Sequence, residues 1–411
     1  MSKPMGPIPA GFTAISGRLA IAGEDAETLV ARAGDTPLFV YDAAMVHDRI
    51  ARFRSAFPDV DLHYAIKANS YAPLLKDVAR HVDGLDIASG GELLLALRSG
   101  MAADRISFAG PGKRDDELEA ALRAGVTINL ESEGECARAL ALSGDLGVVA
   151  RLAVRVNPDF EIKGSGMRMG GGAKPFGLDA ERVPALVRQI ISSGADWRGF
   201  HIFAGSQSLN PQSIIEAQAA TLDLAAALAR EIGATPPLVN LGGGFGIPYF
   251  GGEQPLDIEA VGAALGEALS ARDPVLEAST FAIELGRWLV GEAGVYLTRI
   301  VDRKESHGKT FLIVDGGMHH QLAASGNFGQ VVRRNYPVAI ASRFDAAAEE
   351  EVSIVGCLCT PLDRLADDVL LPRAEVGDLV AVFLAGAYGL SASPLAFLGH
   401  AQAREMMAGI S

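Results

Sequence analysis

Cysteine is scarce in this chain: there are three in 411 residues, Cys136, Cys357 and Cys359. They are too few and too unevenly spaced for a disulfide framework or a zinc site, so no metal is expected and a reducing cytoplasm is the expected compartment. Positive charge is also short. Thirty-six Lys and Arg stand against 50 Asp and Glu, a net charge of −14, with no basic run. Nucleic-acid binding needs clustered cations to neutralise phosphates, so that class of function is excluded. No apolar stretch reaches the roughly 20 residues that cross a bilayer, so no membrane partner is expected. Heptad repeats are missing, and Met1–Ala10 has no apolar leader core, so no secretory signal is expected. With 49% hydrophobic and 21% charged residues, the chain is an ordinary globular protein with ample core, long enough for two or three domains.

From about residue 36 the pattern alternates regularly. Short β-type runs occur at Leu62–Ile66, Gly84–Ala88, Ile106–Phe108, Thr127–Leu130, Leu152–Val156, Gly199–Phe203, Leu238–Leu241 and Phe281–Leu285, eight in all. Between them lie segments with helical spacing, such as Ala72–Val82, Asp115–Ala124, Glu133–Leu142 and Ile214–Ile232. Eight alternations over roughly 250 residues meet the requirement of a (β/α)8 barrel, with an open doubly wound sheet as the alternative. After about residue 289 the texture turns to β: Val295–Val301, Thr310–Val314, Glu351–Val355 and Leu379–Leu384, with no long helix before the closing residues. The expected organisation is an α/β barrel over 36–288 and an all-β domain over 289–411. Residues 1–35 contribute a strand to that domain, through Phe12–Ile21.

In such a barrel the active site gathers at the C-terminal ends of the strands. Lys67 follows the first strand. Asp86 and Ser89 end the second, Arg155 and Asn157 the fifth, and His201 and Ser206 bracket the end of the sixth. Gly242-Gly243-Gly244 follows the seventh, and Glu284 and Arg287 close the eighth. All fall at one rim. A desolvated lysine at a strand end can lose its proton and form a Schiff base. Three glycines after a strand let backbone N–H groups approach a phosphate, with Arg287 or Ser206 as further donors. A carboxylate such as Glu284, ending an apolar strand, is suited to keep a pyridine nitrogen protonated. Together these features suggest pyridoxal 5'-phosphate (PLP), a cofactor that takes up the electrons of a breaking bond while the protein holds and tunes it.

Nearly the whole chain, from Thr36-Pro37-Leu38-Phe39-Val40-Tyr41-Asp42 to Gly386-Ala387-Tyr388, resembles the fold-type III PLP decarboxylases, the family of diaminopimelate and eukaryotic ornithine decarboxylases. The likeness runs through Tyr64-Ala65-Ile66-Lys67-Ala68-Asn69, Asp86-Ile87-Ala88-Ser89-Gly90-Gly91-Glu92, Gly205-Ser206-Gln207, Glu284-Leu285-Gly286-Arg287 and Cys359-Thr360-Pro361-Leu362-Asp363. It implies an alanine-racemase-type barrel, a Greek-key-like β domain and α-decarboxylation of an amino acid or amino-acid conjugate. It also implies a homodimer with shared active sites. By the resemblance Lys67 carries the cofactor as a Schiff base. Ser206, Gly244, Arg287 and Tyr388 hold the phosphate and Glu284 meets the ring nitrogen, while Cys359 acts near Cα from the second subunit. Asp86, Arg155, His201, Phe203, Gly243 and Gly286 complete the candidate cofactor shell. Without the likeness, Cys357 and Cys359 read as strand-core cysteines alternating on one face.

The departures bear on substrate. Thr360 stands where diaminopimelate decarboxylases have an acidic residue, and Phe203 where the family has a ring-facing histidine. The family's Arg and Tyr motif after Val314-Asp315-Gly316-Gly317 is replaced by Met318-His319-His320-Gln321 and the residues that follow. Thr360, Asp363 and Arg333 are the candidate substrate contacts. The altered set is similar to the decarboxylases of exosortase and exopolysaccharide loci, and to those acting on an amino acid tethered to an acyl carrier protein. An amino-acid racemase on the same barrel and a non-catalytic PLP-binding regulator are the alternatives.

Overall fold

The structure, a computed structural model, describes residues 2–162, 166–168, 170–326 and 333–410. The chain divides into two units, one of Ile50–Ile247 with Pro255–Gly286 and the other of Met1–Arg49, Pro248–Gln254 and Arg287–Ser411.

The first unit is a closed barrel of eight parallel strands. They are β1 (Asp61–Ala65), β2 (Gly84–Ile87), β3 (Ile106–Phe108), β4 (Thr127–Leu130), β5 (Arg151–Asn157), β6 (Asp196–Ile202), β7 (Leu238–Gly243) and β8 (Thr280–Leu285). Parallel pairing runs from each strand to the next, and β8 pairs with β1 to complete the ring. These strands are covered on both faces, so they read as near-continuous apolar runs rather than as alternating ones. Leu62, Leu85, Ile128, Leu152, Val239 and Ile283 are fully buried.

Capping fixes where the helices start. The Ser89 hydroxyl accepts the Glu92 N–H at the head of Gly90–Arg98, and the Ser132 hydroxyl accepts the Glu135 N–H at the head of Glu133–Leu146. Each such cap stabilises a helix by about 1 kcal/mol. Ser89 is therefore a helix cap. Gly125, Gly147 and Gly233 end their helices at positive φ, which a glycine adopts without a β-carbon clash.

The second unit is built on a mixed sheet. Its longest strand, Gly294–Ser306, pairs in succession with Leu38–Asp42, Leu379–Val382 and Lys309–Val314. Glu350–Val355 then adds to Lys309–Val314 in parallel, and Arg364–Leu371 adds to it antiparallel. The barrel domain expected from residue 36 thus excludes Leu38–Asp42, which is buried along its whole length and belongs to this sheet. An apolar run shows that it is buried but not against which sheet.

The leading strand also differs. Thr13–Ile15 and Arg18–Ile21 close on each other as a hairpin and join Glu24–Asp25 in a separate three-stranded sheet. The cause is the turn Ser16-Gly17, with φ of 52° and 83°, the paired positive values of a tight hairpin turn. The closing residues hold a strand, Arg404–Ala408, parallel to Leu38–Asp42. Cys357 and Cys359 lie in the loop after Glu350–Val355, part-exposed and exposed, rather than within a strand core.

Candidate active site

Lys67 sits on the single 3-10 turn Ile66–Ala68 that follows β1. Its two neighbours are buried and its own side chain is 47% exposed, so the flanking apolar residues aim it out of the core at the rim. Gly286 keeps this turn in place, since a β-carbon there would come within 2.7 Å of the Ala68 Cβ. The Lys67 Nζ lies 3.4 Å from Oε1 of Glu284 and 5.4 Å from the centre of the Phe203 ring.

Glu284 is the next-to-last residue of β8 and is buried. His201, the next-to-last residue of β6, places Nε2 3.0 Å from Glu284 Oε2. Burial alone would push the Glu284 carboxyl up. The Lys67 charge, the His201 hydrogen bond and the Arg155 charge outweigh it and hold the group well below the usual carboxylate range.

Arg155 is buried on β5 and pairs with Glu131, which follows β4, at 2.8 Å. Glu131 also accepts the N–H groups of Gly110 (2.6 Å) and Gly177 (2.8 Å). Against the push of burial, Arg155 and the Gly177 N–H lower its carboxyl. Next to it, buried Lys113 donates to the carbonyls of Gly110 and Asn129 and to Glu135 at 2.8 Å. Every charge in the network is paired and hydrogen-bonded, as buried charges must be.

Asp86, on β2, is buried 3.3 Å from Nδ1 of His63 on β1. Burial acts to lower the His63 pKa, but Asp86 raises it on balance.

The glycine run is closed to side chains by backbone contact. A β-carbon on Gly243 would lie 1.9 Å from the Glu284 carbonyl oxygen, one on Gly244 2.4 Å from that of Gly205, and one on Gly242 2.6 Å from that of Ile202. Gly242 and Gly244 also hold φ of 69° and 84°. The Gly242 N–H is taken by the Asn240 side chain. Ser206, half-buried, follows on the short strand Gly205–Ser206.

A lysine amine, an ionised buried carboxylate, an aromatic face beside the lysine and a turn that excludes any β-carbon fit PLP. When bound, PLP supplies an electron sink for a bond breaking at Cα. The rim presents an amine, a fixed negative charge and a close-packed glycine backbone to such a group.

In the other unit Arg287 donates to the Tyr249 hydroxyl at 2.7 Å and lies 4.5 Å from the centre of the Tyr388 ring. Asp363 is buried, and its carboxylate accepts the N–H groups of Met318 (2.6 Å) and Leu358 (2.8 Å), so both oxygens are engaged in bracing two loops. Arg333 donates to the Arg364 carbonyl at 2.6 Å. Cys359 lies exposed and Thr360 half-buried on the loop that Asp363 braces. Residues 327–332, part of the altered region after Asp315, lie outside the described residues.

Sequence reasoning missed Glu131, Lys113, His63 and Tyr249. The strand-end rule applied to β4 reaches Glu131 directly, and a histidine inside an apolar strand was a signal for His63. Lys113 and Tyr249 are loop residues that carry no local pattern.

The family model described as pyridoxal-dependent decarboxylase, pyridoxal binding domain, matches residues 43–291. The L-glutamyl-[BtrI acyl-carrier protein] decarboxylase of Niallia circulans is 40% identical over 380 residues, covering 91% of this chain and 89% of that protein. The diaminopimelate decarboxylase of Archaeoglobus fulgidus is 32% identical over 384 residues, covering 92% and 89%. Among solved structures, diaminopimelate decarboxylase from M. jannaschii in complex with L-lysine superposes with a TM-score of 0.88 at 27% identity, covering 97% of this chain and 93% of that one.

Proposed function

Since this chain belongs to the pyridoxal-dependent decarboxylase family and is a PLP-dependent carboxy-lyase acting on an amino acid or its conjugate, we propose that its substrate is an acidic amino acid tethered to an acyl carrier protein. The observation that carries the proposal is the 40% identity, over 91% of the chain, to the carrier-protein decarboxylase against 32% to the Archaeoglobus diaminopimelate enzyme. Phe203 and Thr360, where the diaminopimelate enzymes have polar groups, agree with it. The reported relatives are decarboxylases, so neither the racemase nor the regulator alternative gains support.

The chemistry defines the tether. Loss of CO2 from Cα needs a free α-amine to join the cofactor and a free α-carboxylate to leave, so the carrier must be attached through the side-chain carboxyl. The Cα–carboxylate bond breaks and one proton returns to Cα, for which bound PLP would supply the electron sink. The products are CO2 and a carrier-bound ω-amino acyl group.

In this reading Lys67 anchors PLP, Glu284 holds the ring proton and is itself held by His201, and Gly243, Gly244 and Ser206 meet the phosphate. Arg287 among its tyrosines is the further phosphate donor. Cys359 returns the proton from the second subunit of a cytoplasmic homodimer.

The test is CO2 release from PLP-loaded protein. Carrier protein bearing glutamate as a side-chain thioester is compared with free glutamate, free meso-diaminopimelate and free lysine. Faster turnover of any free amino acid than of the carrier-bound one would sink the substrate assignment.

A further inference from the structure

Three side chains that the decarboxylation does not use meet in the second unit. His319 lies in the turn after Lys309–Val314, Cys357 in the loop after Glu350–Val355, and His400 after the short turn Phe397–Gly399. One ligand atom from each lies within 4.8 Å of the other two. The Cys357 Sγ is 3.7 Å from Nδ1 of His400, and the His319 and His400 rings are 5.3 Å apart by centroid.

His319 is fully buried, yet neither of its ring nitrogens has a hydrogen-bond partner among the described residues. A buried imidazole without partners forfeits the hydration of both nitrogens, which folding does not tolerate without return. A cation on one nitrogen supplies what the protein does not.

The surroundings brace the chain beside each of the three ligands. Asp363 binds the N–H groups of Met318 and Leu358, the residues adjoining His319 and Cys357. His320 Nε2 donates to the carbonyl of Ala401 at 2.9 Å while its Nδ1 pairs with Tyr296 Oη at 3.1 Å, and Ala401 adjoins His400. Each ligand thus has a chain neighbour fixed by a hydrogen bond.

We propose that His319, Cys357 and His400 bind one zinc-class divalent cation, and that this cation pins the loop carrying Cys359. Two imidazoles and a thiolate are a borderline-soft set suited to tetrahedral zinc, with the fourth position open to water. A zinc tetrahedron has edges of about 3.5 Å, so the ligand atoms need to close by about 1 Å. Rotation of the exposed His400 side chain provides that movement. Cys359 is two residues beyond Cys357, so a metal on one thiol immobilises the other.

The experiment uses untagged, PLP-loaded, full-length protein equilibrated with Zn2+ and freed of unbound metal. Elemental analysis is expected to find about one zinc per chain, with an X-ray absorption sulfur shell at ~2.3 Å. Cys357→Ser removes that shell. Cys357→Ser and His400→Ala each weaken Zn2+ binding at least about 100-fold, since losing even an outer-shell partner costs about 10–100-fold. His400 is exposed and Cys357 half-buried with an isosteric replacement, so folding survives both changes. Alkylation of Cys357 by iodoacetamide is expected to slow when Zn2+ is added. Absence of retained zinc, a zinc shell without sulfur, or a Cys357 alkylation rate unmoved by Zn2+ overturns the proposal.

Discussion

Replacing Glu284 by glutamine isolates what its charge does. The substitution keeps volume and shape, so β8 and the buried pocket are preserved, and the amide oxygen still accepts from His201. What disappears is a full negative charge now 3.0 Å from His201 Nε2 and 3.4 Å from the Lys67 amine. A pair of unit charges at such a distance interacts by about 5 kcal/mol at an effective dielectric of roughly 20. A neutral hydrogen bond recovers about 1 kcal/mol of that. The remaining ~4 kcal/mol corresponds to about a thousandfold in rate if all of it is felt at the transition state. The half-exposed Lys67 shows that the rim is partly solvated, which screens some of it, so the expected fall in kcat is about 100- to 1,000-fold. KM and cofactor affinity are expected to change little, because the glycine turn is untouched. The assay is CO2 release under saturating PLP, with circular dichroism to establish folding. A Glu284→Gln enzyme that folds, binds PLP and keeps kcat within tenfold of the parent would refute the assignment of Glu284 to the ring proton.

Lys67→Ala is expected to abolish both turnover and the visible absorbance of bound PLP, and a variant that keeps either would remove Lys67 from its role. Acid stability follows from Glu131 and Glu284, whose carboxyls are held below their ordinary 4.5. Below about pH 4.5 the unfolded chain takes up protons that the folded one refuses, so the stability they contribute is present above that pH and lost beneath it. Melting temperature measured against pH should therefore drop on the acid side, with a shallower slope in Glu131→Gln, and parallel curves would contradict this. Burial and the neighbouring Glu135 push the Cys136 thiol up to about 11, so iodoacetamide near neutral pH should spare Cys136 in the native protein and modify it after denaturation, as read by mass spectrometry. Gly243→Ala forces a β-carbon to 1.9 Å from a strand carbonyl. Such overpacking costs about 1–3 kcal/mol and should lower the melting temperature and PLP retention together; a variant with both unchanged would show that the strands can separate there.

The barrel was legible because its strands are covered on both faces. All eight β-type runs became strands, within a few residues of where they were expected, since a run such as Leu152–Val156 has no alternative place to hide. The second unit was harder for the same reason in reverse. Arg364–Leu371 carries Asp367 and Asp368 in mid-strand, with Asp368 at a φ of 50°, so an irregular, half-polar strand does not show the alternation that marks a regular one. Arg404–Ala408 contains good helix formers and becomes a strand through its pairing with Leu38–Asp42, a tertiary decision that no local propensity contains. Strand ends brought Lys67, Arg155, His201 and Glu284 onto one rim, and the same rule left unapplied to β4 passed over Glu131. The His319, Cys357 and His400 cluster escaped entirely. Its members come from three loops, and metal spacings in sequence are informative only when the ligands share a hairpin or helix.

The pairing of Leu38–Asp42 has a consequence for how the molecule is born. That strand leaves the ribosome early, but both its partners, Gly294–Ser306 and Arg404–Ala408, come from the far side of the barrel. The second of them is translated about 360 residues later, which at roughly 5–20 residues per second is on the order of 20–70 s. Until Gly294–Ser306 emerges this buried strand waits with both edges unpaired, and one edge stays open until Arg404–Ala408 follows, while the barrel has all its own strands once Leu285 has emerged. The nascent chain is therefore sticky at its front end for most of its synthesis. Shielding of that early segment until its partners emerge is therefore expected to raise the yield of folded protein.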